Sequence, residues 1–451
     1  MAAAAGADVD AALDGHTALA LRLTKHLAPP PAWASSASAP AAAAARGGGN
    51  VAFSPVSVHS ALALAAAGAR GATLAQLLAF LGAPSASALA ELGRRVSACV
   101  LGDRTGAGGP RVLFGGGVWV DASRGELDDA FRGVAAESYK SDARNVNFAE
   151  EPEEAVKVIN NCVKKATNSF IDTVISVSDI NPDTDLVLAN AVYFKGEWVN
   201  PFQWTSPGTF HLLDGSNAKA DFMESCTMLR VACMDGFKVV RLPYKQGRVK
   251  RRRSGDGAGE AEAEESAWPD SGEANGYSMF VFLPDARGGL STMVDVVTAS
   301  PAFMYGILDY EMELQHVDLK LPKFKISSSW GNLGDALCQL GLTLPFSPEA
   351  ADLQGMCKGE VDDDGYDDND DDDDDGVPPR RPMFLTKLAH TAMVNVHEKG
   401  TEAAAASFVM RGDGGPEHIV DFTADHPFTF FIMEERSGVI VSAGHVLDPT
   451  Q

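Results

Sequence analysis

The ten residues Glu398-Lys-Gly-Thr-Glu-Ala-Ala-Ala-Ala-Ser407, followed by Phe-Val-Met-Arg-Gly-Asp-Gly-Gly-Pro416, decide how the rest of the chain is read. Alanine has the best helix propensity, so one reading is a short alanine helix. The flanks point the other way. An extended stretch, Met393-Val-Asn-Val396, leads in, glycines stand at 412, 414 and 415, and another apolar run follows Pro427. As a strand, the segment places Thr401, Ala403, Ala405 and Ser407 on one face and Glu402, Ala404 and Ala406 on the other. Both faces are small. Such a segment can slot between two existing strands without clashing, yet carries too little apolar surface to hold itself there from the start.

Outward from this segment, the second half of the chain reads as strands: Leu186 to Phe194, Val239 to Tyr244, Tyr277 to Leu283, Val317 to Ile326, Ala392 to Val396, Phe428 to Met433 and Val439 to Val446. Helices crowd the first half. An amphipathic helix is expected over Asp10 to Leu27, with Leu19, Leu23 and Leu27 on one face. After a Pro/Ala/Ser loop from Pro29 to Gly49, Asn50-Val-Ala-Phe-Ser-Pro-Val-Ser57 reads as a short strand entering a helix, with Ser54 as cap and Pro55 in the first turn. A further helix covers Thr73 to Leu81 and stops at Gly82, residues 111 to 121 form a strand, and Glu151 to Ile175 forms one or two helices. This order predicts an α+β domain with a large antiparallel or mixed sheet.

Of the 451 residues, 61 are acidic and 37 basic, a formal charge of −24. Residues Glu360 to Asp375 hold twelve acids and no base, so one short tract supplies half of that charge. The balance argues against nucleic acid or an anionic membrane as partner. The longest uncharged stretch, Leu27 to Ala45, contains four prolines, so no membrane span is expected. The N-terminus carries Asp8, Asp10 and Asp14 where a secretory signal would be basic. Six scattered cysteines without a C-x-x-C pair read as reduced thiols in a cytoplasmic setting. Lys250-Arg-Arg-Arg253 reads either as a nuclear import signal or as a solvated hairpin tip, and extracellular export without a classical signal peptide also stays open. Two insertions, 250–276 and the acidic 357–382, are expected to be disordered, being too poor in apolar area to offset the entropy of ordering.

Catalytic motifs are missing. There is no G-x-x-x-x-G-K-[ST] and no G-x-S-x-G, and His397-Glu398 lacks the second histidine of a zinc-protease helix. Read as a calcium loop, the acidic tract places Pro382 where a bidentate Glu belongs in one register, and neither register has flanking helices. No cofactor, metal or enzyme activity is expected.

The chain resembles a serpin, most closely the plant branch. The resemblance rests on seven motifs in order: Asn50-Val-Ala-Phe-Ser-Pro-Val-Ser57, Leu188-Ala-Asn-Ala-Val-Tyr-Phe-Lys-Gly-Glu-Trp198, Val239-Val-Arg-Leu-Pro-Tyr244, Leu319-Lys-Leu-Pro-Lys-Phe324, Gly341-Leu-Thr-Leu-Pro-Phe346, the Gly400 to Ala406 hinge, and Asp421-Phe-Thr-Ala-Asp-His-Pro-Phe428. It implies a single α+β serpin domain over residues 1–451, with three β-sheets, a helix bundle and an exposed reactive-centre loop over 400–420. It also implies suicide inhibition of serine and cysteine endopeptidases. The loop is cleaved and its N-terminal part inserts into the central sheet, carrying the acyl-linked protease with it. A strand with ladders on both sides adds on the order of ten hydrogen bonds at ~1 kcal/mol net each, enough to distort a protease. The implied partner is a trypsin-like or papain-like endopeptidase in a covalent complex, and the implied oligomeric state is a monomer.

By the same resemblance the hinge is Gly400, Thr401, Glu402, Ala403, Ala404, Ala405, Ala406 and Ser407. Ser54, Ser57, Asn190 and His390 match a polar cluster beneath the point where the sheet opens, and Trp198 matches the top of the opening. Hydrogen-bonded polar residues of an ordinary core would look the same in sequence. Two placements of the scissile bond stay open. Counting forward from Gly400 lands on Gly414-Gly415, and counting back from Asp421 lands on Arg411-Gly412. Arg411 is favoured because glycine offers no side chain to a specificity pocket. The loop is short by three residues on this placement. Together with the two insertions, that motivates a second reading, a non-inhibitory serpin acting as a binding or storage-type protein.

Overall fold

Apolar alternation in the second half of the chain resolves into two hydrogen-bonded sheets, with the helices of the first half packed around them. The computed structural model describes residues 2–30, 49–246, 276–331, 333–358, 382–400 and 419–451. The helices are α1 (Ala2–Leu27), α2 (Pro55–Ala67), α3 (Gly71–Leu81), α4 (Ala86–Cys99), α5 (Asp129–Tyr139), α6 (Pro152–Ala166), α7 (Leu290–Val297), α8 (Pro301–Gly306) and α9 (Leu333–Gln339). The strands are β1 (Val51–Phe53), β2 (Arg111–Asp121), β3 (Ser141–Val146), β4 (Leu186–Lys195), β5 (Trp204–His211), β6 (Asn217–Met234) and β7 (Phe237–Pro243). They continue with β8 (Tyr277–Pro284), β9 (Glu313–Pro322), β10 (Phe324–Trp330), β11 (Lys387–Val396), β12 (Ile419–Thr423), β13 (Phe428–Glu434) and β14 (Ile440–Val446).

The larger sheet has the order β1-β14-β13-β8-β7-β6-β9-β12, with β5 also against β6. Two of the three sheets implied by the family resemblance are joined here, because the 18-residue β6 runs through both. The smaller sheet has the order β10-β11-β4-β2-β3. Its central pair is parallel: Lys387 to Met393 of β11 lie beside Val187 to Tyr193 of β4. β10 and β2 flank that pair in antiparallel register. The β2–β3 pair at the edge is parallel as well, and since parallel pairing is slightly the weaker kind per residue, the β4–β11 seam is weaker than the antiparallel pairs on either side of it.

The main core fills the space among the two sheets and the helices, and a second cluster lies between α6 and the outer face of the five-stranded sheet. Helix α2 starts where its sequence says it should. Ser54 accepts the Ser57 N–H, Pro55 is the first helical residue, and the helix is buried along nearly its whole length.

Several boundaries differ from the sequence expectations: α1 starts at Ala2 rather than Asp10, and β11 at Lys387 rather than Ala392. The strand expected over Val317 to Ile326 is broken at Lys323, because β9 pairs with β6 in one sheet and β10 with β11 in the other. The one or two helices expected over Glu151 to Ile175 are a single helix that ends at Ala166, just before Asn168 and Ser169 take positive φ. Cys357 and Lys358 are placed, although the acidic insertion was expected to start at 357: Cys357 is buried and bridged to Leu127, and Lys358 pairs with Glu126 at 3.1 Å. Ile419 and Val420 belong to β12, so the loop expected over 400–420 ends earlier. Lys250–Arg253, most of both insertions, the hinge residues Thr401–Ser407, and Arg411, Gly412, Gly414 and Gly415 lie outside the described residues.

Candidate functional site

The β4–β11 seam is clamped from its inner face by buried polar side chains. His390 and Asn190 are direct cross-strand partners, one from each side of the seam. His390 Nε2 accepts the Ser54 N–H at 2.9 Å, so that nitrogen carries no proton. The proton therefore sits on Nδ1, which donates to Asn190 Oδ1 at 2.6 Å. Asn190 Nδ2 donates to the Ser57 carbonyl at 3.0 Å, and Ser54 Oγ donates to the Val441 carbonyl at 2.6 Å. The first turn of α2 thus holds both lips of the seam and ties them to β14. Burial drives the His390 imidazole down to about 3, which keeps it neutral and preserves this bonding pattern.

At the top of the seam β4 and β11 diverge, and the chain leaving β11 turns back between them. His397 and Gly400 bridge each other, with N–H···O=C distances of 3.0 and 3.1 Å, and Gly400 also bridges Glu197 beyond the end of β4. Gly400 has φ of +131°, and a Cβ there would lie 2.1 Å from the Gly196 carbonyl oxygen. Only glycine fits. Trp198 stacks on Tyr244 at 4.4 Å between ring centroids. Its Nε1–H donates to the His397 carbonyl at 3.0 Å, and its backbone N–H donates to the Lys399 carbonyl at 2.9 Å.

Glu398 completes the anchorage, a role that no motif assigns to it. Its carboxylate pairs with Lys323 and accepts the Thr205 hydroxyl at 2.7 Å, while its carbonyl accepts the Phe202 N–H at 2.9 Å. Partial burial raises the carboxyl, but the Lys323 ammonium, a backbone N–H and the Thr205 hydroxyl outweigh that and hold it at about 2. The signal that could have found Lys323 was its position inside Leu319-Lys-Leu-Pro-Lys-Phe324, at the point where the chain changes sheet.

The structure thus gathers Ser54, Ser57, Asn190 and His390 into one hydrogen-bonded group on the inner face of the seam. Trp198 and Gly400 lie at its upper end. Among the described residues, no three His, Cys, Asp or Glu side chains gather as a metal site.

The chain is similar to known proteins along most of its length. The family model "Serpin (serine protease inhibitor)" matches residues 39–449. A putative serpin-Z5 from Oryza sativa subsp. japonica is 43% identical over 416 residues, covering 89% of this chain and 85% of that protein. Serpin-Z2A from the same organism is 40% identical over 445 residues, covering 97% of each. The solved structure of Arabidopsis AtSerpin1 in its native stressed conformation superposes with a TM-score of 0.76 at 31% identity, covering 98% of this chain and 99% of that one. With a family model spanning nearly the whole chain, the protein belongs to the serpins, a family of protease inhibitors rather than of catalysts.

Proposed function

We propose that the protein inhibits trypsin-like endopeptidases as a suicide substrate, by inserting its cleaved loop between β4 and β11. The observation that carries this is the parallel seam with Gly400 already bridged to both of its lips. Continuing those two antiparallel bridges downward sets a register for the incoming strand. Thr401 falls opposite Val396, Ser407 falls level with both His390 and Asn190, and Arg411 falls level with Thr386 and Leu186. One parallel ladder is then exchanged for two antiparallel ones, a net gain in pairing.

The register supports cleavage after Arg411. A segment ending there covers β11 and β4 to their lower ends, whereas one ending at Gly414 overhangs by three residues. It also gives Ser407 a task. Its hydroxyl arrives where His390 Nδ1–H now meets Asn190 Oδ1, and it accepts from the first and donates to the second. The clamp is opened without leaving either group unpaired.

Incubation with trypsin tests the proposal. The expected result is an SDS-stable complex, together with a large rise in thermal stability of the cleaved inhibitor. Cleavage after Arg411 with neither outcome would support the second reading, a non-inhibitory binding or storage-type serpin, which the shortened loop favours.

A further inference from the structure

We propose that the Asp179–Lys387 ion pair is a clasp across the outer face of the β4–β11 seam, and that its strength sets how fast the seam opens. The inference rests on the strand-insertion reading and extends it to residues that neither the hinge nor the inner clamp includes.

The chain from Thr167 to Asp185 runs over the seam as a strap. It is fixed on the β4 side first. Phe170 stacks flat on Tyr193 of β4, with centroids 4.0 Å apart and planes 5° from parallel. Asn160 of α6 holds the next turn, donating to the Ile175 carbonyl at 2.9 Å and accepting from the Val174 and Ile175 N–H groups at 2.9 and 3.2 Å. Ile171, Val174 and Ile175 are buried in the cluster that includes Val187, Ala189 and Ala191 of β4. At the far end the Asp185 carbonyl accepts the Asp121 N–H at 2.8 Å and its carboxylate pairs with Arg124, both on the β4 side, while its N–H donates to the Thr386 hydroxyl at 3.0 Å, just before β11.

Between those anchors the strap crosses to β11. Asp179 Oδ2 accepts the N–H and hydroxyl of Ser176 at 2.9 and 2.7 Å, which orients the carboxylate and leaves Oδ1 for Lys387 Nζ at 2.6 Å. Lys387 is the first residue of β11 and lies beside Val187 of β4. Burial raises the Asp179 carboxyl, but the bonds from Lys387 and Ser176 reverse this and leave it below its ordinary value. The pair is therefore preorganised and partly buried, unlike an ordinary surface ion pair.

A strand entering the seam moves β4 and β11 apart by one strand spacing, about 4.8 Å. A 2.6 Å contact cannot survive that while Phe170 stays on Tyr193 and Asp185 stays on Asp121 and Arg124, and the Asp185–Thr386 bond, which crosses at the same end, parts with it. Either the clasp breaks or the strap follows β11 and peels Phe170 from Tyr193. Weakening the clasp should speed insertion, so that fewer cleaved molecules escape as spent substrate.

The test is the rate at which a synthetic peptide with the sequence of residues 401–411 anneals to the intact protein, followed by native gel and thermal unfolding. Lys387→Met and Asp179→Asn should each anneal roughly fivefold faster. The double variant should be no faster than either single one, and Lys387→Arg should behave as wild type. Single variants that match wild type, a double variant whose effects add, or a peptide that anneals to none of the proteins would overturn the clasp. Clasp-dependent annealing with no trypsin complex would leave the clasp standing and remove the inhibitory reading instead.

Discussion

His390 serves one donor and one acceptor that belong to different parts of the chain, which makes it the residue on which the closed seam most depends. Its Nε2 receives the Ser54 N–H and its Nδ1–H reaches Asn190 across the seam. His390→Ala leaves a buried N–H without an acceptor and opens a cavity, a loss of roughly 2–4 kcal/mol. The expected outcome is a looser seam and faster heat-induced polymerisation on native gels. An unchanged polymerisation rate would remove His390 from the clamp. Ser407 offers the reciprocal test. If it arrives between Asn190 and His390, Ser407→Glu buries a carboxylate in the closed face and slows insertion. Trypsin should then cleave the variant almost entirely as a substrate, while Ser407→Ala should keep most of the complex. Equal complex yield from Ser407→Glu and wild type would refute the register.

At the scale of elements, the turn from β11 into the loop is held by the Glu398–Lys323 pair, which links it to the junction of β9 and β10. Both side chains are about one third exposed, 32% and 33%, so the pair is worth about 1 kcal/mol after solvent screening. Lys323→Ala should lower the melting temperature by only a few degrees yet raise the polymerisation rate several-fold, because the released turn sits where the seam opens. A large melting shift with no change in polymerisation would mean that the pair supports the fold rather than the turn. Strands β2, β8 and β13 were legible because apolar, β-rich runs end at clear turn residues. By contrast, β6 was not anticipated, since its buried positions shift from Ala220 and Phe222 to Met223, Ser225, Leu229 and Val231, so no single alternating face runs through it. The inner clamp could be named from motif context, but not its geometry: Asn190 and His390 lie two hundred residues apart, and only the parallel register brings them together. Glu398 and Asp179 were invisible as site residues, because an acid near a basic partner distant in sequence looks like any surface charge.

Across the whole molecule, four buried histidines, one each on α1, α2, β11 and β14, are held neutral. Burial lowers His16 well below its ordinary value and His59 and His445 to about 4, alongside His390 at about 3. His16 Nε2 accepts the Ile440 N–H at 3.1 Å, and His445 joins Thr24 of α1 and Thr429 of β13 at 2.9 Å each. An unfolded chain protonates these rings near pH 6.5, whereas in the native chain His16 is held well below that, His59 and His445 at about 4 and His390 at about 3. The unfolded state therefore binds more protons in between, and native stability is complete above about pH 6.5 and lost as pH falls. The loss is about 1.4 kcal/mol per pH unit for each histidine. Carboxylates held low by partners, such as Glu398, add their own loss only below about pH 4.5, so the span from pH 6.5 to 5 isolates the histidines. The urea midpoint of the uncleaved protein should fall steeply across that span. His59→Leu should make the fall shallower by about a quarter, because it removes one titrating ring whose Nε2 makes no hydrogen bond among the described residues. A midpoint that stays flat from pH 7 to 5 would show that these rings are protonated, or equally hydrated, in the native state. In that case the neutral-histidine account of the seam's inner clamp would fall with it.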